Sequence, residues 1–169
     1  LLWKPEIKGN AVSAAWAWTV SNARYNSGQL PLSSSAPPIT PNSQPPGPLQ
    51  GIRVIECGHM VGAAYAGKLM ADLGAEVIKV EEPKRGEPGR WGFTNMPGVD
   101  SNYFVFYNLN KQSVTCNLKS DEGKALFRRM VEHADVVIEN MAPGTFARFG
   151  FDYDSLCAIN PRIIFAQIK

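Results

Sequence analysis

The chain has 169 residues, 44% of them hydrophobic and 19% charged, enough for one domain with a real core. A formal net charge of +2 argues against a protein held to nucleic acid or a membrane surface by bulk charge, and no apolar run is long enough to span a bilayer. The two histidines argue against a His-based metal site, and the dispersed Cys57, Cys116 and Cys157 read as buried free thiols of a reducing cytosol.

Residues 1–48 differ in character from the rest. Ser33, Ser34, Ser35, Pro37, Pro38, Pro41, Pro45, Pro46 and Pro48 crowd one stretch, and Glu6 is the only acidic residue before position 51. Such a composition buries too little apolar surface to offset ordering, so it reads as a flexible leader or linker. An organelle transit peptide is similarly acid-poor and Ser-rich, but richer in arginine. The chain starts at Leu1 and stops inside a strand-like run at Lys169, so it reads as a piece of a longer protein.

From Leu49 onward the pattern is regular. Gly51 to Cys57 reads as a strand. Ala63 to Leu73 reads as a helix with Ala66, Leu69, Met70 and Leu73 on its apolar face, closed by Gly74. Ala75 to Glu81 is a second strand, and a strand, helix, strand unit with short turns makes the two strands parallel neighbours. Pro83 to Asn102 is a long Gly- and Pro-rich loop. Tyr103 to Leu109 follows as a short helix or turn, then Ser113 to Leu118 as a third strand. Ser120 caps the next helix, with Asp121 and Glu122 in its first turn. Leu126, Met130 and Ala134, flanked by Phe127 and Val131, form its buried stripe. Asp135 to Glu139 is a fourth strand, Pro143 opens a short helix ending near Gly150, Asp152 to Ile159 is a last helix, and Arg162 to Ile168 is a fifth strand. This alternation predicts a doubly wound parallel α/β sheet.

In such sheets ligands lie outside the carboxyl ends of the strands. Three segments qualify: Gly58 to Ala63, Glu81 to Arg90, and Asn140 to Gly144. Each offers backbone N–H groups at a helix start, which suit a phosphate or a carbonyl. Gly58 and Gly62 do not make a Gly-x-Gly-x-x-Gly, and a tight turn without a ligand is the other reading. Glu81 lies nineteen residues beyond Gly62, about where a nicotinamide-binding domain keeps its ribose acid, so that alternative stays open. His59 is either a ligand contact or a capped turn residue, and His133 a partner of a helix end. Lys84, Arg85, Arg90, Lys111, Lys119 and Arg148 either converge on phosphates or are solvated.

The run Leu49-Gln-Gly-Ile-Arg-Val-Ile-Glu-Cys57, followed by Leu69-Met-Ala-Asp-Leu-Gly-Ala-Glu-Val-Ile-Lys-Val-Glu81, resembles the opening of class III CoA-transferases. The same order continues through Gly98-Val-Asp-Ser-Asn-Tyr-Phe104, Asn108-Leu-Asn-Lys111, Asn117-Leu-Lys119, Glu139-Asn140, Pro143-Gly144 and Ile159-Asn-Pro-Arg162. The stretches at 98–102 and 108–111 look most like the formyl-CoA or oxalate branch. The resemblance implies that residues 49–169 are the amino-terminal part of a Rossmann-like, coenzyme A-binding domain from a cytoplasmic enzyme whose two subunits interlock. It implies no permanently bound cofactor, with acyl-CoA and a small carboxylic acid as substrates. By position it places Val61 and Gly62 against CoA, Lys119 along the adenosine, Asn140, Met141 and Ala142 against CoA through backbone groups, Arg148 on phosphate, and His59 at the edge of the thioester site. Glu82-Pro83, Met141 and Ala142 depart from the formyl-CoA branch, which can carry Arg, Phe and Gly there. The family's nucleophile is an aspartate expected beyond Lys169, so the 169-residue chain alone is expected to be inactive. A racemase of the same family would use a proton-transfer pair instead.

Overall fold

The computed structural model describes residues 47–96 and 98–169. The leader at 1–48 lies almost wholly outside them. The elements run β1 (Arg53–Cys57), α1 (Gly62–Asp72), β2 (Glu76–Glu81), α2 (Pro88–Trp91), α3 (Asn102–Tyr107), β3 (Gln112–Thr115), α4 (Asp121–Val131), β4 (Val136–Glu139), α5 (Thr145–Arg148), α6 (Tyr153–Ile159) and β5 (Ile164–Gln167). All strands are parallel, in the order β3-β2-β1-β4-β5. Ile55 stands opposite Ile78 on one side and Val137 on the other. The chain builds outward from β1 through β2 to β3, then returns to build outward through β4 to β5. The reversal leaves a crevice between the carboxyl ends of β1 and β4, the topological switch point of a doubly wound sheet.

Two apolar layers sandwich the sheet because strand side chains alternate between its faces. Ile55, Cys57, Val80 and Val137 pack against Phe127, Val131, Phe146, Phe151 and Leu156 from α4, the α5 region and α6. Val54, Val77, Val136 and Ile138 pack against Ala63 of α1, with Leu49, Ile52, Ala66 and Met70 around them. The α4 start is as expected, with Ser120 Oγ accepting from the Gly123 N–H. Its buried centre is Phe127 and Val131, with Leu126 and Met130 at the margin, so the stripe is rotated from the one expected.

Helix α1 departs further. Its buried residues are Ala63, Ala64 and Gly67, while Leu69 and Leu73 are 45% and 46% exposed. Small residues bring this helix down onto the sheet and turn its leucines outward. Gly74, at φ +99°, ends it as expected: the Gly74 N–H donates to the Ala71 carbonyl and the Ala75 N–H to the Met70 carbonyl, a closure that needs a left-handed residue. Gly51 also has positive φ and belongs to a turn, so β1 starts two residues later than expected. The long loop holds a turn of helix, α2, with proline at its start. Among the described residues no helix is long and apolar enough to cross a membrane.

Candidate functional site

The β1–α1 turn at the switch point is held by side chains from three other segments. The Asn140 side chain, just past β4, accepts from the His59 N–H (2.8 Å) and donates to the His59 carbonyl (2.9 Å). Lys79 Nζ, from β2, donates to the Gly58 carbonyl (3.0 Å). Glu87 Oε1, at the start of α2, accepts from the Met60 N–H (2.8 Å). Met60 itself sits at φ +62°, a conformation that L residues rarely adopt. A β-carbon at Gly62 would lie 3.2 Å from Asn140 Nδ2 and 3.2 Å from a methyl of Ile168, so a side chain there would press on both.

Beneath this turn lies a buried quartet of charges. Lys79 Nζ is 2.6 Å from Glu56 Oε1 and 2.6 Å from Glu87 Oε2, and Lys111 Nζ is 2.6 Å from Glu56 Oε2. The Glu56 Oε2 and Glu87 Oε2 contacts are ionic rather than aligned hydrogen bonds. Lys111 also donates to the Ala64 carbonyl and to Asn108 Oδ1. Burial alone would lower the Lys79 pKa, but the two carboxylates outweigh it and hold the ammonium above the usual lysine range. Burial prevails at Lys111, which is held below that range. Burial, then the Lys79 ammonium, also holds His59 below the usual imidazole range. Its Nδ1 is buried with no hydrogen-bond partner among the described residues.

On the far side of the crevice an open depression of about 370 Å³ is lined by Asn140, Met141, Ala142, Pro143, Ile168 and Lys169. Glu139, fully buried at the end of β4, organises it. One carboxylate oxygen accepts from Gln167 and Lys169, the other from the Met141 N–H. Lys169 also donates to the Met141 carbonyl, and the Thr145 N–H to the Ala142 carbonyl. The first turn of α1 opens on this crevice without a side-chain cap. Its N–H groups and the helix dipole favour an anion or a developing oxyanion.

Of the expected residues, His59, Val61, Gly62, Asn140, Met141 and Ala142 come together at the switch point. The Asn140 side chain is engaged by His59, and the Met141 N–H by Glu139. Lys119 is exposed beyond β3, the sheet edge, and Arg148 folds back onto Thr145 Oγ1 of its own helix. Glu81 carries three partners, Arg90, Ser113 and the Glu87 N–H, so it presents no free carboxylate to a ribose. The basic residues do not converge: Lys111 is buried in the quartet, Arg90 is paired with Glu81 and Asp100, and Lys84 and Arg85 are exposed. Sequence reasoning missed the quartet and Glu139. The available signal was Glu56, Lys79 and Glu139 inside apolar strand runs, since a charge buried in a parallel sheet must be paired. Among the described residues no cluster of His, Cys, Asp or Glu is arranged to hold a metal.

Asn140→Ala removes both bonds to the His59 backbone and is expected to cost about 1–3 kcal/mol of stability, read from urea unfolding. A loss under a few tenths of a kcal/mol would mean that Asn140 does not hold the turn.

Residues 49–169 match the family model described as CoA-transferase family III. The chain is 43% identical over 121 residues to the formyl-CoA:oxalate CoA-transferase of Streptomyces coelicolor, covering 72% of this chain and 29% of that protein. It is 43% identical over 134 residues to the succinate–glutarate CoA-transferase of Agrobacterium fabrum, covering 76% and 33%. The crystal structure of a CAIB/BAIF family protein from Brucella suis superposes with a TM-score of 0.67 at 40% identity, over 74% of this chain and 34% of that one. The chain thus spans about a third of the length of the relatives it matches.

Proposed function

Since this chain belongs to CoA-transferase family III, we propose that the whole protein moves coenzyme A from an acyl-CoA thioester, formyl-CoA or a close relative, to a carboxylic acid such as oxalate. The observation that carries this reading is the convergence of His59, Gly62 and Asn140 on one crevice at the switch point, beside the uncapped start of α1. Val61, Gly62 and Ala142 serve the CoA side of the crevice and His59 the thioester edge, while Arg148 and Lys119, which lie outside the crevice, reach a phosphate and the adenosine of the CoA. The nucleophile is an aspartate outside residues 1–169. Its carboxylate attacks the thioester carbonyl and expels CoA thiolate. The thiolate returns to the aspartyl carbonyl and releases the first acid, and the acceptor acid then takes the CoA by the reverse steps. Occupied as it is, Glu81 does not favour a nicotinamide domain.

A homodimer fits the outward stripe of Tyr65 and Leu69 on α1 with Leu73 at its end, which leaves apolar surface to be covered. A reducing cytoplasm fits the three free cysteines.

The test incubates the whole protein with formyl-CoA, acetyl-CoA or succinyl-CoA and with oxalate, succinate or glutarate, and separates the CoA esters chromatographically. A new ester matching the added acid is expected. No exchange with any pair, or epimerisation of a 2-methylacyl-CoA instead, would sink the transfer reading.

A further inference from the structure

The quartet of Glu56, Lys79, Glu87 and Lys111 is a costly thing to build. Each side chain is at most 2% exposed, and apolar residues of similar volume would fill the same space at lower desolvation cost. Its charges cancel, two ammonium groups against two carboxylates, so it offers a ligand no net attraction. Its distinctive contacts are instead with main chain around the β1–α1 turn. Lys79 holds the Gly58 carbonyl, Glu87 the Met60 N–H, and Lys111 the Ala64 carbonyl in the first turn of α1. Between the first two, Asn140 holds both polar groups of the His59 peptide from the other side of the crevice. The turn so gripped contains a non-glycine residue with positive φ, Met60.

Glu87 is the member that joins this turn to a distant loop. Its own N–H donates to Glu81 Oε2 (2.9 Å), and Glu81 is in turn forked by Arg90 (2.7 Å to each oxygen). The loop between β2 and α3 is therefore tied to β2 at one end of Glu87 and to the turn at the other.

Resting on the transfer reading above, we infer that Glu87 is a positioning residue for the acyl-transfer site. It acts through the Met60 N–H to fix the turn that carries His59 and the uncapped start of α1, and Lys79 is the cation that orients it.

The test compares Glu87→Ala and Glu87→Gln in the whole protein. Asp135→Ala serves as a control: it removes the acceptor of the Arg53 N–H at the opposite ends of the same strands. Glu87→Ala is expected to lower kcat at least tenfold while KM for the acyl-CoA donor changes less than threefold. Amide exchange at Met60 should quicken at least tenfold. Glu87→Gln keeps an oxygen to accept the Met60 N–H but sets its NH2 group against Lys79, so it is expected to recover kcat in part, to at least threefold above Glu87→Ala. Asp135→Ala should lower Tm and leave kcat unchanged. If Glu87→Ala does not fold, Glu87→Met, which fills the same space, replaces it. The inference is overturned if Glu87→Ala keeps kcat within threefold, if Glu87→Gln is as impaired as Glu87→Ala, or if Asp135→Ala loses kcat in the same proportion to its fall in Tm. Should the parent protein transfer no CoA at all, the transfer reading alone falls. Met60 exchange in Glu87→Ala then decides: quickened exchange upholds the hold on the turn, and parental exchange overturns it.

Discussion

Lys79→Met is expected to lower the unfolding free energy by about 3–5 kcal/mol, because it leaves buried charge without its partner. Glu56 would keep Lys111, but the Glu87 carboxylate would keep only the Met60 N–H, and the Gly58 carbonyl would lose its donor. The cost should depend on the surviving carboxylate. Adding Glu87→Met to Lys79→Met removes that stranded charge, so the double variant should lose clearly less than the two single losses combined. Urea unfolding of the three variants measures this cycle. Strict additivity would show that the two groups do not interact and that the quartet is not a unit.

Acid should unfold the domain through Glu81. Burial opposes its ionisation, but hydrogen bonds from Arg90, Ser113 and the Glu87 N–H prevail and bring it down from the ordinary 4.5 to about 2. A carboxylate lowered in the folded state stabilises fully above its unfolded value, and the unfolded chain takes up the proton first as pH falls. The contribution is therefore present at neutral pH, shrinks as pH drops below 4.5 and is gone near pH 2. Its size is about 3 kcal/mol, at 1.36 kcal/mol per unit of pKa. Glu81→Gln should lose a comparable amount at pH 7 and show a visibly flatter stability profile between pH 5 and 2. A variant whose profile parallels the parent's through that window would move the acid sensitivity to another group.

The order of elements was legible in the sequence because each strand and helix carries its own punctuation. Gly74 closes α1, Ser120 opens α4, and Asn160-Pro161 stops α6. The switch-point turn was legible as well, since strand-to-helix turns in a parallel sheet lie at its carboxyl end. Which face α1 buries was not: Leu69 and Leu73 have the period of a core stripe, but Ala63, Ala64 and Gly67 allow a closer approach of the helix. Four-residue α2 left no periodic signal among its glycine and proline neighbours. The pairing within the quartet was illegible for another reason. Glu56 and Lys79, charges inside apolar strand runs, signal that each needs a buried partner, but which partner is set only when the sheet order puts β1 between β2 and β4 and α1 covers them. Pairing across distant segments is a property of topology, and a linear pattern does not carry it.

Strand β1 pairs with β2 over a short separation and with β4 over a long one, and this bears on the order of assembly during folding. The Lys79–Glu56 contact joins residues 23 apart in sequence, and the His59–Asn140 clasp joins residues 81 apart. Closing the larger loop costs about 1 kcal/mol more in chain entropy, and long-range pairings are the slower ones to form. The β1–α1–β2 unit with its internal charges can therefore form ahead of the crevice, whose second wall arrives with β4. The Asn140 clasp is then a late contact. Its loss should act mainly by speeding unfolding rather than by slowing folding.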